Sequence, residues 1–259
     1  MSGETCRQMV TLRNVASRDY AYEEAIKTLR TNIQFCGNNI RVVMFTSSIP
    51  NEGKSSITFA LARSLAQTGK RVLLVDADIR KSVLVARYHL ERDVDGLSQY
   101  LSGQKSREEV IYGTNVEGLD VIFSGPFAPN PAELLEEDVF SELIFWARNQ
   151  YEYVIVDTPP ITNVIDAAIV ARSCDGAALV VESGAISYRI AQRVKQQMEK
   201  TGCRLLGTVL NKVGGENSGY YSKYYGSYGK RYGRYYGKEY GSLDDEHENG
   251  RPQEAGETA

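Results

Sequence analysis

A glycine, a lysine and two serines occur in the order that is typical of phosphate-binding loops. Residues 47–56 read Ser-Ser-Ile-Pro-Asn-Glu-Gly-Lys-Ser-Ser. Gly53 lets the backbone come close to a phosphate, Lys54 can reach β- and γ-phosphates, and the Ser55 hydroxyl can ligate Mg²⁺. The phosphate-loop pattern G-x-x-x-x-G-K-[ST] is met except at its first glycine, where Ser48 stands. A plain turn between a strand and a helix is the alternative, and we favour the phosphate loop.

Two flanking segments would position this loop. The apolar run 41–46 predicts a strand that leads into it, and residues 57–66 predict a helix that leads out. Unpaired N–H groups and the helix dipole make such a helix start attractive to anions. We therefore expect the loop to hold the phosphates of ATP through these residues: Asn51, Glu52, Gly53, Lys54, Ser55 and Ser56.

Three carboxylates follow predicted strands. Asp76 and Asp78 lie at the end of the run 71–75, and Asp157 ends the run 153–157. Ligands of parallel sheets bind beyond the carboxyl ends of the strands. Mg²⁺ needs few carboxylates because it keeps several waters. We therefore assign Mg²⁺ to Ser55, Asp78 and Asp157, although Asp157 could instead be a turn or capping acid.

A carboxylate that the metal does not need can serve as a base. Phosphoryl transfer depends mostly on positioning and charge neutralisation, which Lys54 and Mg²⁺ supply. A phenol has a pKa near ~10 and must lose its proton as it accepts a phosphoryl group. Asp76 is our candidate for that base, with ligation of the metal or orientation of Lys54 as alternatives. The predicted catalytic residues are thus Lys54, Asp76 and Asp78.

The order of elements predicts the fold. Strands alternate with helices from residue 20 to residue 213, which is typical of an α/β P-loop NTPase with a mostly parallel, twisted sheet and helices on both faces. Residues 1–19 are polar and are expected to be flexible. Residues 20–36 predict a helix, and Glu24, Lys27 and Arg30 on it form either a solvated face or an oligomer interface.

The composition changes abruptly at residue 214. No aliphatic residue occurs between Val213 and Leu243, so we expect residues 214–259 to be a disordered tail with a reach of roughly 35–40 Å. The tail is a cluster of phosphate acceptors, a self-associating segment or an RNA-binding stretch. We favour acceptors. The tyrosines are Tyr220, Tyr221, Tyr224, Tyr225, Tyr228, Tyr232, Tyr235, Tyr236 and Tyr240.

Composition narrows the class of protein. The chain has 259 residues, 42% hydrophobic, which suffices for one large domain with a core. With a net charge of −3 we expect no nucleic-acid partner. Four scattered cysteines predict free thiols, and no apolar run approaches the ~18 residues of a membrane span. We expect a cytoplasmic protein that reaches a membrane only through a partner.

In combination these stretches resemble the bacterial tyrosine kinases of capsule and exopolysaccharide synthesis. Residues 24–32 are similar to the family's E-x-x-R-x-x-R oligomer motif, and residues 47–56 to its Walker A loop. Residues 73–80 match its additional acidic motif, residues 129–135 its P-N-P-x-E-L-L segment, and residues 153–160 its Walker B motif. The tyrosine cluster matches the family's autophosphorylation tail.

The resemblance implies an ATP-dependent protein-tyrosine kinase that phosphorylates its own tail in a neighbouring subunit and regulates polysaccharide synthesis and export. It also implies protein-tyrosine substrates, a ring-like homo-oligomer built through Glu24, Lys27 and Arg30, and a contact of Asn211 with adenine. Since the kinase domain carries no membrane helices, it looks like the two-chain type. That type is activated by the cytoplasmic end of a separate membrane-spanning protein, at the inner face of the cell membrane.

Two departures and two rival functions accompany this resemblance. Lys27 replaces the first arginine of the oligomer motif and lacks its bidentate fork, and Ser82 stands where the family usually has proline. A partitioning-type ATPase switch would carry a lysine where Ile49 stands. A non-catalytic ATP-binding scaffold of a polysaccharide assembly is the second rival.

Overall fold

The computed structural model describes residues 8–13, 15, 19–90, 94–162 and 164–213. The chain separates into two units, Met1–Lys212 and Val213–Ala259. Every strand and helix of the described residues belongs to the first unit. The predicted tail, residues 214–259 with its nine tyrosines, lies outside the described residues.

One sheet organises the described part of the chain. Its eight strands there are β1 (Gln8–Val10), β2 (Val42–Ser47), β3 (Val72–Asp76), β4 (Tyr112–Thr114), β5 (Leu119–Ile122), β6 (Tyr153–Asp157), β7 (Gly176–Glu182) and β8 (Leu205–Asn211). The spatial order is β1-β4-β5-β3-β6-β2-β7-β8. Each neighbouring pair is parallel except β4 with β5. The predicted α/β class with a mostly parallel sheet is confirmed.

Helices cover both faces of this sheet. Within the described residues they are α1 (Tyr20–Phe35), α2 (Lys54–Ala66), α3 (Leu84–Arg87), α4 (Leu97–Leu101), α5 (Arg107–Val110), α6 (Pro131–Glu136), α7 (Asp138–Gln150), α8 (Asp166–Ala171) and α9 (Tyr188–Lys200). None of these helices is long and apolar enough to cross a bilayer.

The core has two halves because successive strand residues point to opposite faces. In β2, Val42 and Met44 belong to the apolar cluster that contains residues of α7 and α9. Val43 and Phe45 belong to the cluster on the other face, which contains residues of α1 and α2. All four side chains are fully buried, so β2 lies at the centre of the molecule.

The start of the chain contradicts one sequence-based expectation. Residues 1–19 were expected to be flexible, but Gln8–Val10 pairs with β4 and the Val10 side chain is buried. The partner strand β4 directly follows the two short helices α4 and α5. Three-residue strands are too short to show a period of two. Further along the chain, Glu137 has an extended backbone and separates α6 from α7.

The sheet brings the predicted site residues together. Strands β3 and β6 are neighbours, and Asp76 stands opposite Asp157 in their register. Strand β2 lies between β6 and β7 and delivers the loop that precedes α2. Consequently, the loop after β2 and the carboxyl ends of β3 and β6 meet at one edge of the sheet.

Candidate nucleotide and phosphoryl-transfer site

The loop after β2 has the backbone shape of a phosphate cradle. Gly53 precedes α2 in the left-handed region, with φ 88°, where a side chain would be strained. A Cβ atom at this position would also lie 2.1 Å from Nδ2 of Asn211. A glycine is therefore required at position 53 for two reasons: the positive φ angle and the closeness of the Asn211 side chain. The first N–H groups of α2, beginning with Lys54, are left for an anion.

Glu52 shapes this loop from the inside. Its carboxylate is buried and accepts N–H bonds from Ser48 at 2.6 Å and from Ile49 at 2.9 Å. The other oxygen accepts a bond from the N–H of Glu182 at 3.1 Å. The side chain of this predicted nucleotide-binding residue thus organises the loop, and only its backbone remains for a phosphate.

Lys54 is bound to the acid of the neighbouring strand. Its Nζ lies 2.6 Å from Oδ1 of Asp157 and 3.1 Å from Oγ of Ser55, and both ions of the pair are buried. Thr58, one helical turn after Lys54, donates to the same Asp157 oxygen at 3.3 Å. The structure therefore brings together the predicted lysine, serine and Walker-B-type aspartate.

Asp76 is completely buried beside this pair. Desolvation, followed by the charge of Asp157, raises the pKa of its carboxyl to about 8. Ser82 donates its hydroxyl to one carboxyl oxygen, and the N–H of Asp78 donates to the other at 3.2 Å. Ser82, noted only as a departure from a family pattern, thus has a defined partner in the site. This raised pKa keeps Asp76 protonated near pH 7 in the ligand-free protein. A divalent cation bound beside it would lower the pKa and leave a carboxylate that can accept a proton.

Asp78 borders the same cluster and remains partly exposed. Burial is the main cause of its raised pKa, and the nearby charge of Lys54 acts in the opposite direction. Its Oδ1 accepts the N–H of Lys81 at 3.0 Å. This exposed edge leaves the carboxylate accessible from the cleft.

The three carboxylates suit a bound cation. Asp76, Asp78 and Asp157 surround the single ammonium of Lys54, and Asp157 raises the pKa of both other acids. A divalent cation would relieve this excess negative charge. In the described residues no group of three or more His, Cys, Asp or Glu forms a metal cage. Two carboxylates, the Ser55 hydroxyl, phosphate oxygens and water suit the sparse protein coordination of Mg²⁺.

Asn211 lies beside the phosphate loop, where its side chain binds the loop backbone. Its Nδ2 donates to the Glu52 carbonyl oxygen at 2.8 Å. The resemblance implied a contact with adenine, and that assignment remains a prediction. Ser56 also has a protein partner, since its hydroxyl accepts a bond from Arg87 of α3.

Arg80 illustrates what sequence reasoning missed. Its guanidinium makes two bonds to the fully buried carboxylate of Asp166, from Nε at 2.6 Å and from Nη2 at 2.9 Å. The pair ties the loop after β3 to the start of α8. Asp166 was not a candidate because nothing in its local sequence reveals a partner 86 residues away.

The predicted oligomer interface is divided in the structure. Glu24 and Lys27 pair with each other at 2.6 Å on the outer side of α1, and both are about half exposed. Arg30 instead donates to the carbonyl and hydroxyl oxygens of Ser64 on α2, at 3.0 and 3.1 Å. Arg30 therefore attaches α1 to its own domain in this structure.

Comparisons with known proteins agree with this geometry. The sequence profile described as an AAA domain matches residues 41–200. Tyrosine-protein kinase CpsD of Streptococcus agalactiae is 44% identical over 191 residues, 74% of this chain and 83% of that protein. Tyrosine-protein kinase YwqD of Bacillus subtilis is 42% identical over 190 residues, 73% of this chain and 80% of that protein.

Solved structures show the same relationship. The kinase domain of the Escherichia coli tyrosine kinase ETK superposes with a TM-score of 0.71 at 34% identity, covering 76% of this chain and 79% of that chain. The septum site-determining protein MinD of Pyrococcus horikoshii, solved with Mg-ADP, superposes with a TM-score of 0.60 at 23% identity, covering 69% and 73%. That second likeness shows the fold alone.

Proposed function

This chain belongs to the bacterial tyrosine-protein kinases, and from that premise we propose that it transfers the γ-phosphoryl group of ATP to tyrosine hydroxyls, including those of its own C-terminal segment. The position of Asp76 carries the proposal. It adds a buried carboxyl group beyond the residues to which we assign the metal, Ser55, Asp78 and Asp157, and this group can receive the phenol proton once a bound cation lowers its pKa.

Each residue then has a defined role. Lys54 and the N–H groups at the start of α2 hold the β- and γ-phosphates. Mg²⁺, held by Ser55, Asp78 and Asp157, would neutralise charge on those phosphates when bound. The phenol oxygen bonds to the γ-phosphorus as the bond to the β-phosphate bridging oxygen breaks. Asp76 receives the phenol proton, and ADP leaves.

The acceptors are the nine tyrosines of residues 220–240, and we propose that they are modified by another copy of the chain. Two variants separate donor from acceptor. Lys54→Met keeps the tyrosines but loses the phosphate-binding cation, whereas replacing all nine tyrosines by phenylalanine keeps the site but removes the acceptors. We expect neither variant to gain tail phosphotyrosine alone, and the Lys54→Met chain to gain it in a mixture.

Mass spectrometry after incubation with Mg-ATP measures this outcome, with and without the cytoplasmic segment of a candidate membrane activator. Tail phosphotyrosine in purified Lys54→Met protein alone would contradict catalysis by this site. Release of inorganic phosphate by the wild-type chain without any phosphotyrosine would favour the ATPase switch. Binding of ATP with no turnover would favour the scaffold.

We further propose that the chain acts as a ring-like homo-oligomer through the outer face of α1. Support comes from Glu24 and Lys27, which are exposed on that face. A membrane-spanning activator would recruit it to the inner face of the cell membrane, where it would regulate polysaccharide synthesis and export. Crosslinking in membranes that contain or lack the activator tests this placement.

A further inference from the structure

The middle of the phosphate loop is held from outside by the ends of two strands. Lys212, which follows β8, donates from Nζ to the Asn51 carbonyl oxygen at 2.8 Å and to Oε2 of Glu182 at 2.7 Å. Glu182 is the last residue of β7. Asn211 donates to the next carbonyl of the loop, that of Glu52, at 2.8 Å. Two consecutive loop carbonyls are therefore bound by two consecutive residues of the β8 end.

The backbone on both sides of this contact adopts an unusual conformation. Asn51 has φ 69° and Lys212 has φ 55°. Only His89 shares a positive φ with them among the non-glycine residues that the structure describes. This region costs energy for residues with a side chain, so it persists where neighbouring contacts stabilise it. Two of the three such residues bind each other directly here.

Peptide geometry links these bonds to phosphate binding. In a trans peptide the C=O and the following N–H point in opposite directions. Fixing the Asn51 carbonyl toward Lys212 turns the N–H of Glu52 away from the strand ends. The Asn211 bond to the Glu52 carbonyl turns the N–H of Gly53 in the same way. Successive N–H groups held in this manner form an anion-binding concavity.

We propose that Lys212, held by Glu182, is a positioning residue for the phosphate loop. Its ammonium group keeps the left-handed turn at Asn51 and so presents the loop N–H groups to the nucleotide phosphates. Lys212 need not touch the nucleotide. The inference rests on nucleotide binding at this loop, which is part of the proposed function.

The test is nucleotide affinity in Lys212→Met. We expect the Kd for Mg-ADP and the KM for ATP to rise roughly 5- to 20-fold, because charge-assisted hydrogen bonds to the loop are lost. The kcat should stay within about twofold, since the groups at the reacting phosphate are untouched. Lys212→Arg should retain most of the affinity, because a guanidinium can also bridge a carbonyl and a carboxylate.

Two further variants sharpen the test. Glu182→Gln should weaken Mg-ADP binding in the same direction, and the double variant should be little worse than Lys212→Met alone. Lys195→Met is the matched control, because it removes an exposed ion pair with Glu199 within α9. It should leave both Kd and KM unchanged. The side chain of Lys212 is 47% exposed, so the thermal midpoint should hardly move.

Two results would overturn the proposal. One is wild-type affinity for Mg-ADP in Lys212→Met. The other is a fall in thermal midpoint and kcat together with no separate effect on KM, which would show a structural role alone. Wild-type protein that binds Mg-ADP but never modifies tyrosine would refute the kinase proposal while leaving this one measurable. Failure of the wild type to bind Mg-ADP would refute both.

Discussion

Asp76 is the residue where stability and the proposed chemistry oppose each other. Its carboxyl is fully buried, lies opposite Asp157, and has a pKa raised to about 8. An ionised Asp76 is therefore costly for the folded protein without bound ligands. The proposed proton acceptor must nevertheless be ionised, and a bound divalent cation would lower its pKa and so offset this cost.

Asp76→Asn should separate the effect of Asp76 on stability from its proposed role as the proton acceptor. Below the unfolded pKa of 3.8 both versions are neutral, so the difference in their stability should not depend on pH there. The folded state of the wild type holds a proton that the unfolded state has lost, so wild-type stability falls as the pH rises from 3.8 to about 8. The variant should therefore gain an advantage that grows across that range, to on the order of 5 kcal/mol above pH 8.

Chemical denaturation of the nucleotide-free protein at several pH values measures this advantage. Tyrosine phosphorylation by the same variant should fall by about 10²–10⁴-fold if Asp76 is the base. An advantage that does not depend on pH would contradict the assignment of the raised pKa. Retained phosphorylation would remove Asp76 from the mechanism.

The residue types in the sequence indicated which side chains could lie in this site. They did not indicate which side chains pair with one another. Lys54 was recognisable from the Gly-Lys-Ser order at a predicted helix start, and Asp76 and Asp157 from the apolar runs that precede them. The bidentate pair of Arg80 with Asp166 joins segments far apart in the sequence. Such a pairing depends on the packed fold, and no local pattern encodes it.

At the scale of elements, α1 shows why helix phase decides the role of a residue. Ile26 and Ile33 are its buried residues, and Arg30 lies on the same side at helical spacing. The motif predicted that Glu24, Lys27 and Arg30 would act together. The phase instead turns Arg30 toward α2 and leaves the other two outside.

A second charged contact attaches α1 to α2. Arg63 of α2 is 6% exposed and lies 2.5 and 2.6 Å from the two carboxylate oxygens of Glu23. Glu23→Gln should lower the free energy of unfolding by about 2–4 kcal/mol, because it leaves a buried guanidinium without its counter-charge. Denaturant titration measures the loss.

Glu199→Gln is the matched control for Glu23→Gln, since its ion pair with Lys195 is exposed. It should cost less than ~1 kcal/mol. The double variant Glu23→Gln, Arg63→Met should recover part of the loss by removing the unpaired charge. Equal costs for the two glutamine variants would contradict the importance of the buried pair.

At the scale of the whole molecule, the negative charge added by autophosphorylation would change the size of the proposed homo-oligomer. The chain carries a net charge of −3, and each phosphotyrosine adds roughly −1.5 to −2. Several phosphates on each copy would make neighbouring copies repel one another. We expect a smaller oligomer after treatment with Mg-ATP, measured by light scattering.

The variant with all nine tail tyrosines replaced by phenylalanine is the control for this prediction. It can bind and turn over ATP, but it gains no charge on the tail. Its mass should stay constant under the same treatment. A fall in mass for that variant would assign the effect to nucleotide binding, and an unchanged mass for phosphorylated wild type would contradict charge repulsion.

The pairing of β1 has a consequence for how the protein is made. Gln8 pairs with Tyr112, so the partner of this strand leaves the ribosome long after it does. Pairings between distant segments form slowly because a long loop must close. Strand β1 must therefore wait for β4 during synthesis, while the phosphate loop and α2 can already begin to fold.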